Sequence, residues 1–67
     1  MMNIIFRGES IQMNENDSLD HLLKTVTIAS DVFAVAVNSK FIPKAYYSTT
    51  TLYPEDVVDI ILPMQGG

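Results

Sequence analysis

The sequence predicts one α+β domain in which a sheet of four to five strands carries a single main helix across one face. Three observations point there. Apolar residues recur at every second position near both ends of the chain, leucines recur at helical spacing between them, and 67 residues provide for one hydrophobic core and no second.

Residues 3–7 read Asn-Ile-Ile-Phe-Arg, with Ile4 and Phe6 on one face and Asn3, Ile5 and Arg7 on the other. Residues 10–13 alternate again through Ile11 and Met13, and Gly8 with Glu9 forms the turn between, Gly8 supplying the positive φ a tight turn needs. Residues 1–13 therefore form a β-hairpin. After the polar connection Asn14-Glu15-Asn16-Asp17, Leu19, Leu22, Leu23 and Val26 fall at i, i+3, i+4 and i+7, the apolar stripe of a helix. Asp17 or Ser18 caps its first free amides, Asp20 complements its dipole, and Asp20, His21, Lys24 and Thr25 face water. The β-branched residues 26–28, followed by Ser30 and Asp31, end it near Thr27.

Residues 33–37, Phe-Ala-Val-Ala-Val, are apolar on both faces, which fits a strand covered on both sides. Asn38-Ser39 is a turn, Phe41-Ile42 a second short strand, and Pro43, with no amide to donate, marks its end or an edge. Residues 44–51 read as loop. Tyr53-Pro54-Glu55-Asp56 is a turn, of type I because Glu rather than Gly stands third. Residues 57–62 are the last strand, with Val58, Ile60 and Leu62 on one face and Val57, Asp59 and Ile61 on the other.

One helix covers one face, so Ile4, Phe6, Val58, Ile60 and Leu62 are expected to point at it. Asp59 marks the opposite face as open to solvent, and Ile5 and Ile61 beside it form a candidate docking patch. The alternative is that Tyr46 and Tyr47 of the loop cover them. Residues 1–62 make up the domain, and residues 63–67, Pro-Met-Gln-Gly-Gly, are expected to hang free as a tail.

Composition excludes several classes of function. With 48% hydrophobic and 18% charged residues the chain is globular, and no apolar run approaches the roughly 18 residues of a membrane span. The absence of cysteine rules out a disulfide scaffold, a thiolate nucleophile and a Cys-ligated zinc site, and His21, the single histidine, cannot build a metal cluster alone. Eight acids against four bases give a net charge of −4, and Arg7, Lys24, Lys40 and Lys44 form no basic stripe. Nucleic acid is therefore not an expected partner, and a protein with a basic surface is. Nothing at the N-terminus has the order of a signal peptide, so a cytoplasmic protein is expected.

The residues that could carry chemistry lie at the end. A pair of terminal glycines arises by chance in roughly 1 chain in 200, which makes Gly66-Gly67 worth testing against the rest of the chain. Glycine lets a backbone enter a narrow channel, and a carboxylate on such a stalk can attack the α-phosphate of ATP to become an acyl-adenylate. A frayed end is the alternative. Asp17-Ser18-Leu19 matches the site where acyl carrier proteins take a phosphopantetheine arm, but those carriers are all-helical and capping accounts for both polar residues here. Glu55, Asp56 and Asp59 lack the spacing of a calcium loop, and no metal site is expected.

Several segments then stand together: Ser18-Leu19-Asp20-His21-Leu22-Leu23, Val35-Ala36-Val37-Asn38, Ile42-Pro43-Lys44, Glu55-Asp56-Val57-Val58-Asp59-Ile60-Ile61, and Pro63-Met64-Gln65-Gly66-Gly67. In this order and at these distances from the C-terminus, the chain resembles the ThiS family of sulfur carriers in thiamine biosynthesis, ubiquitin-like β-grasp proteins of the wider ThiS/MoaD-type superfamily. The family commonly has Gly-Asp where Glu55-Asp56 stands, and often Arg in place of Lys44. The resemblance implies a mixed sheet whose first and last strands run parallel at its centre, and a protein that is a co-substrate rather than an enzyme. It implies adenylation of the Gly67 carboxylate by an enzyme of the ThiF type using ATP and magnesium, with no cofactor bound by the chain itself. A cysteine desulfurase or persulfide relay would supply sulfur to make a Gly67 thiocarboxylate, and thiazole synthase would consume it. Met64, Gln65 and Gly66 would thread into the partner. A molybdopterin-synthase small subunit, a ubiquitin-like modifier and a plain interaction module remain as alternatives.

Overall fold

The computed structural model describes residues 1–28 and 32–63. Its elements are β1 (Met2–Phe6), β2 (Glu9–Met13), α1 (Leu19–Thr25), β3 (Ala34–Val37), β4 (Lys40–Ile42), a single turn of 3₁₀ helix (Lys44–Tyr46) and β5 (Val57–Ile61). They build one mixed five-stranded sheet in the order β2-β1-β5-β3-β4. The expected α+β class and the parallel pairing of first and last strands both hold, with Ile5 opposite Val57 and Phe6 opposite Val58.

The two hairpins close on the same local geometry. Arg7 and Gly8 both have positive φ, 53° and 85°, as do Asn38 and Ser39 at 52° and 69°. Two consecutive positive values are the mark of a type I′ turn, whose twist matches that of the strands it joins. The first turn is thus Arg7-Gly8, not Gly8-Glu9, and Glu9 already pairs with Phe6 as the first residue of β2.

Helix α1 has only 7 residues, a length that is marginal by itself and so depends on tertiary contacts. Its first amides are met in turn: Leu19 N donates to Thr50 O at 2.8 Å, Asp20 N to Tyr47 O at 3.1 Å, and His21 N to Ser18 Oγ at 3.1 Å. Ser18, not Asp17, is therefore the cap. Two of those three acceptors come from residues 44–51, which the sequence reads as loop. That segment holds the 3₁₀ turn, pairs Thr51 with Ser18 in an isolated antiparallel bridge, and delivers Leu52 into the core. The helix stops at Thr25, one turn's fraction short of Thr27, where Thr25 Oγ1 donates back to Leu22 O and Val26 is already extended.

Ile4, Leu19, Leu22, Val35, Leu52 and Val58 are fully buried and form the centre of the core between helix and sheet. Tyr47 packs on its margin, and burial pushes its phenol above the ordinary value of 10.0. Tyr47 therefore lies on the helix side, and Tyr46 is exposed. Leu62 departs from expectation: β5 ends at Ile61, and Leu62 is exposed instead of pointing at the helix. Phe33 likewise precedes β3 and is half-buried.

The turn before β5 is also different from the type I expected. Glu55, its third residue, has φ +71°, and Asp56 N donates to Tyr53 O at 3.1 Å, the combination of a type II turn. The reason lies across the sheet. Glu55 N donates to Asn3 O of β1 at 2.7 Å, which holds the peptide in the left-handed region that glycine would occupy more easily.

Candidate functional site

The site is built on β5, because this strand runs down the middle of the sheet and leads directly toward the C-terminus. Its start is clamped from both neighbours. On the β1 side, Ile5 N donates to Asp56 O at 2.9 Å and Arg7 N to Val58 O at 3.1 Å. On the β3 side, Asn38 Nδ2 donates to Asp56 Oδ1 at 3.0 Å, Val57 N donates to Asn38 Oδ1 at 2.9 Å, and Asn38 N donates to Val57 O at 2.7 Å. Asp56 Oδ2 accepts from Tyr53 N at 2.9 Å, so one carboxylate ties the type II turn, the β3–β4 turn and the last strand together. Read from the sequence, Asp56 is a turn residue weighed only as a calcium ligand and Asn38 only a turn residue; their shared position just before or after a strand is the signal for the contact.

The face of the sheet away from α1 begins with the polar pair Asn3 and Gln12 and turns apolar toward the end of β5. Register places Ser10, Ile5 and Val57 in one row, Asp59, Ala36 and Phe41 in the next, and Ile61 beside Ala34 in the last. Ile61 is 54% exposed, as expected for a docking residue, while Ile5 is half-buried between β2 and β5. The two do not form one patch. Ile5 sits level with Val57, four residues from Ile61, so they stand about 13 Å apart along the strand direction at 3.3 Å per residue. Val57 and Asp59 lie between, and Phe41, 60% exposed, adds an aromatic ring on the outer edge strand that sequence reasoning treated only as part of a strand.

Where β5 gives way to the C-terminal segment, Val32, Phe33, Ala34, Ile61, Leu62 and Pro63 line an open cavity of about 300 Å³. All six side chains are apolar. The residues expected to carry the chemistry, Gly67, and to thread into a partner, Gly66, Gln65 and Met64, lie outside the described residues. Pro63, the first residue of the expected tail, is described and exposed.

The other sequence candidates behave as ordinary structural groups. Ser18 Oγ is occupied as helix cap. His21 Nδ1 lies 3.4 Å from Asp17 Oδ1 on the solvated side of α1, beside a smaller cavity of about 190 Å³ that also includes Met1, Gln12 and Thr25. Among the described residues no group of three or more histidines and acids is placed to hold a metal ion, and no helix is long and apolar enough to cross a membrane.

Comparison with known proteins gives this geometry its setting. The model of the ThiS family matches residues 3–67, nearly the whole chain. The chain belongs to the ThiS family. ThiS membership supports a sulfur-carrier role in thiamine biosynthesis and, with it, interaction with the enzymes of that process. Among similar proteins, the uncharacterized protein ycf40 of Porphyra purpurea is 30% identical over 66 residues, covering 98% of this chain and 93% of the relative. The crystal structure of thiamine biosynthesis protein ThiS from Geobacter metallireducens superposes with a TM-score of 0.84 at 23% identity, covering 98% of this chain and 100% of that one. That match establishes the ubiquitin-like β-grasp fold.

Proposed function

We propose that this chain is a protein co-substrate that carries sulfur on its C-terminus for thiazole formation in thiamine biosynthesis. The single observation that supports it most is the ThiS family match, which runs through Gly66 and Gly67. The sheet geometry adds a physical rationale: a central strand held on both sides by hydrogen bonds is a rigid base from which a short segment can be handed to a larger enzyme.

In this scheme the Gly67 carboxylate oxygen attacks the α-phosphorus of ATP in an adenylating partner of the ThiF type, and pyrophosphate leaves with magnesium. The terminal sulfur of a cysteine persulfide, on a desulfurase or relay protein, displaces AMP from the acyl carbon. A thiol reduces the resulting acyl disulfide and frees the Gly67 thiocarboxylate, whose sulfur thiazole synthase takes. Gly66 provides clearance in the channel, Gln65 and Met64 extend the stalk, and Ile5 and Ile61 contribute to the docking face at its two ends. The chain supplies the reacting carboxyl group and no catalytic side chain.

Intact-mass measurement after incubation with the adenylating enzyme, ATP, magnesium and a persulfide donor tests this. A gain equal to sulfur replacing one oxygen is expected, and removal of Gly67 abolishes it. An unchanged mass, or an isopeptide-linked product with a lysine of another protein, overturns the carrier assignment.

A further inference from the structure

Asp59 is the middle residue of β5, and β5 is the middle strand of the sheet. Aspartate is among the residues that strands disfavour, and here it is fully committed to strand pairing, opposite Ala36 of β3. Its side chain is on the open face and exposed, with Val57 and Ile61 before and after it on the same side and Phe41 beyond Ala36. Among the strand residues that register assigns to this face it is the one acid. Arg7, next in line after the Phe6–Val58 pair, is the nearest cation by register, but among the described residues Asp59 makes no ion pair or side-chain hydrogen bond with it or any other group.

The carboxylate therefore contributes nothing visible to the fold and works against the strand that holds it. Protection from edge-to-edge aggregation does not account for it, because charges serve that purpose on edge strands and β5 is the strand farthest from both edges. A face whose central strand carries a carboxylate among apolar neighbours, left unpaired by the flanking Arg7, has a different property. Any surface that covers it must desolvate the carboxylate, and a surface carrying a cation at that point compensates the loss.

We propose that Asp59 is the specificity-determining contact of the docking face, met by an arginine or lysine that the adenylating partner presents within an otherwise apolar patch. This rests on the carrier reading and names the chemistry of its partner. The charge excludes apolar surfaces that would otherwise bind this face, and it places the carrier in register with the channel into which the C-terminus must pass.

The test measures adenylation by the partner enzyme as a function of carrier concentration, alongside thermal midpoint and sedimentation. Asp59→Thr puts an uncharged strand former at the site, and Glu15→Gln makes the same change in net charge on the β2–α1 connection. Asp59→Thr is expected to sediment as the parent does, melt at or above the parent midpoint, and raise KM roughly thirtyfold with kcat little changed, because the partner's cation is left buried and unpaired. The salt dependence of KM is expected to flatten in the same variant, and Glu15→Gln to match the parent. A KM for Asp59→Thr within about twofold of the parent, or an equal rise for Glu15→Gln, overturns the proposal. Should Asp59→Thr self-associate, Asp59→Asn in the same assay decides by the same criterion. Failure of the parent chain to be adenylated is a separate result: it removes the carrier assignment and this contact with it.

Discussion

The two faces of the sheet are made by alternate residues of the same strands, and they obey opposite rules. Toward α1, Ile4, Val35 and Val58 are fully buried and every one meets another apolar side chain. Away from it, Val57 and Ile61, neighbours of Val58 and Ile60, stay in water with an aspartate between them. Identical side-chain chemistry thus stabilises the fold on one face and is left unspent on the other. A sheet of this kind, antiparallel at its margins, normally covers its outward positions with polar residues. Here the outer face keeps its hydrophobic residues close to the point where the chain leaves the sheet.

The sharpest way to separate the faces is a pair of truncations. Leu22→Ala on the inner side removes a fully buried side chain and is expected to cost about 3 kcal/mol, most of the stability available to a domain this small, so the urea midpoint should fall close to zero denaturant. Ile61→Ala on the outer side is expected to cost less than about 1 kcal/mol and yet to impair adenylation. Equal losses of stability for both would erase the distinction.

Asp56 tests the clamp at the start of β5. Asp56→Ala deletes both acceptors used by Asn38 Nδ2 and Tyr53 N, at an expected cost of about 1–2 kcal/mol, with faster amide exchange at Val57 as the local signature. Glu55→Gly has the smallest expected effect and the opposite sign. Relief of a left-handed glutamate gains about 1–2 kcal/mol, the added freedom of glycine when unfolded returns about 0.4–1, and a net stabilisation of roughly 0.5–1 kcal/mol should raise the urea midpoint. A lower midpoint would mean that the Glu55 side chain makes a contribution its position does not reveal.

Much of the inner face was legible because burial and period coincide: Ile4 and Phe6, Leu19 and Leu22, and Val58 and Ile60 all fall where alternation or helical spacing assigns them. Leu52 escaped because nothing periodic surrounds it; it is buried by the carbonyl bonds that residues 44–51 make to the start of α1, and those depend on tertiary position. The type II turn escaped for the same reason, since the Glu55–Asn3 bond that imposes it joins the two ends of the sequence. On the outer face, Ile5 and Ile61 were assigned the correct side but a shared patch, because alternation reveals which way a side chain points and not how far along a neighbouring strand it lies. The register of β1 against β5 supplies that distance.

The parallel pairing of β1 with β5 has a consequence for how the protein comes into being. The strand that completes the centre of the sheet is the last of the five described strands in chain order, and without it the β1–β2 and β3–β4 hairpins share no ladder. Two isolated hairpins are not stable in water, so folding waits on long-range closure between the first strand and the last. The strand that closes the sheet is thus also the strand that leads to the C-terminal segment, so completing the fold and presenting that segment depend on the same residues.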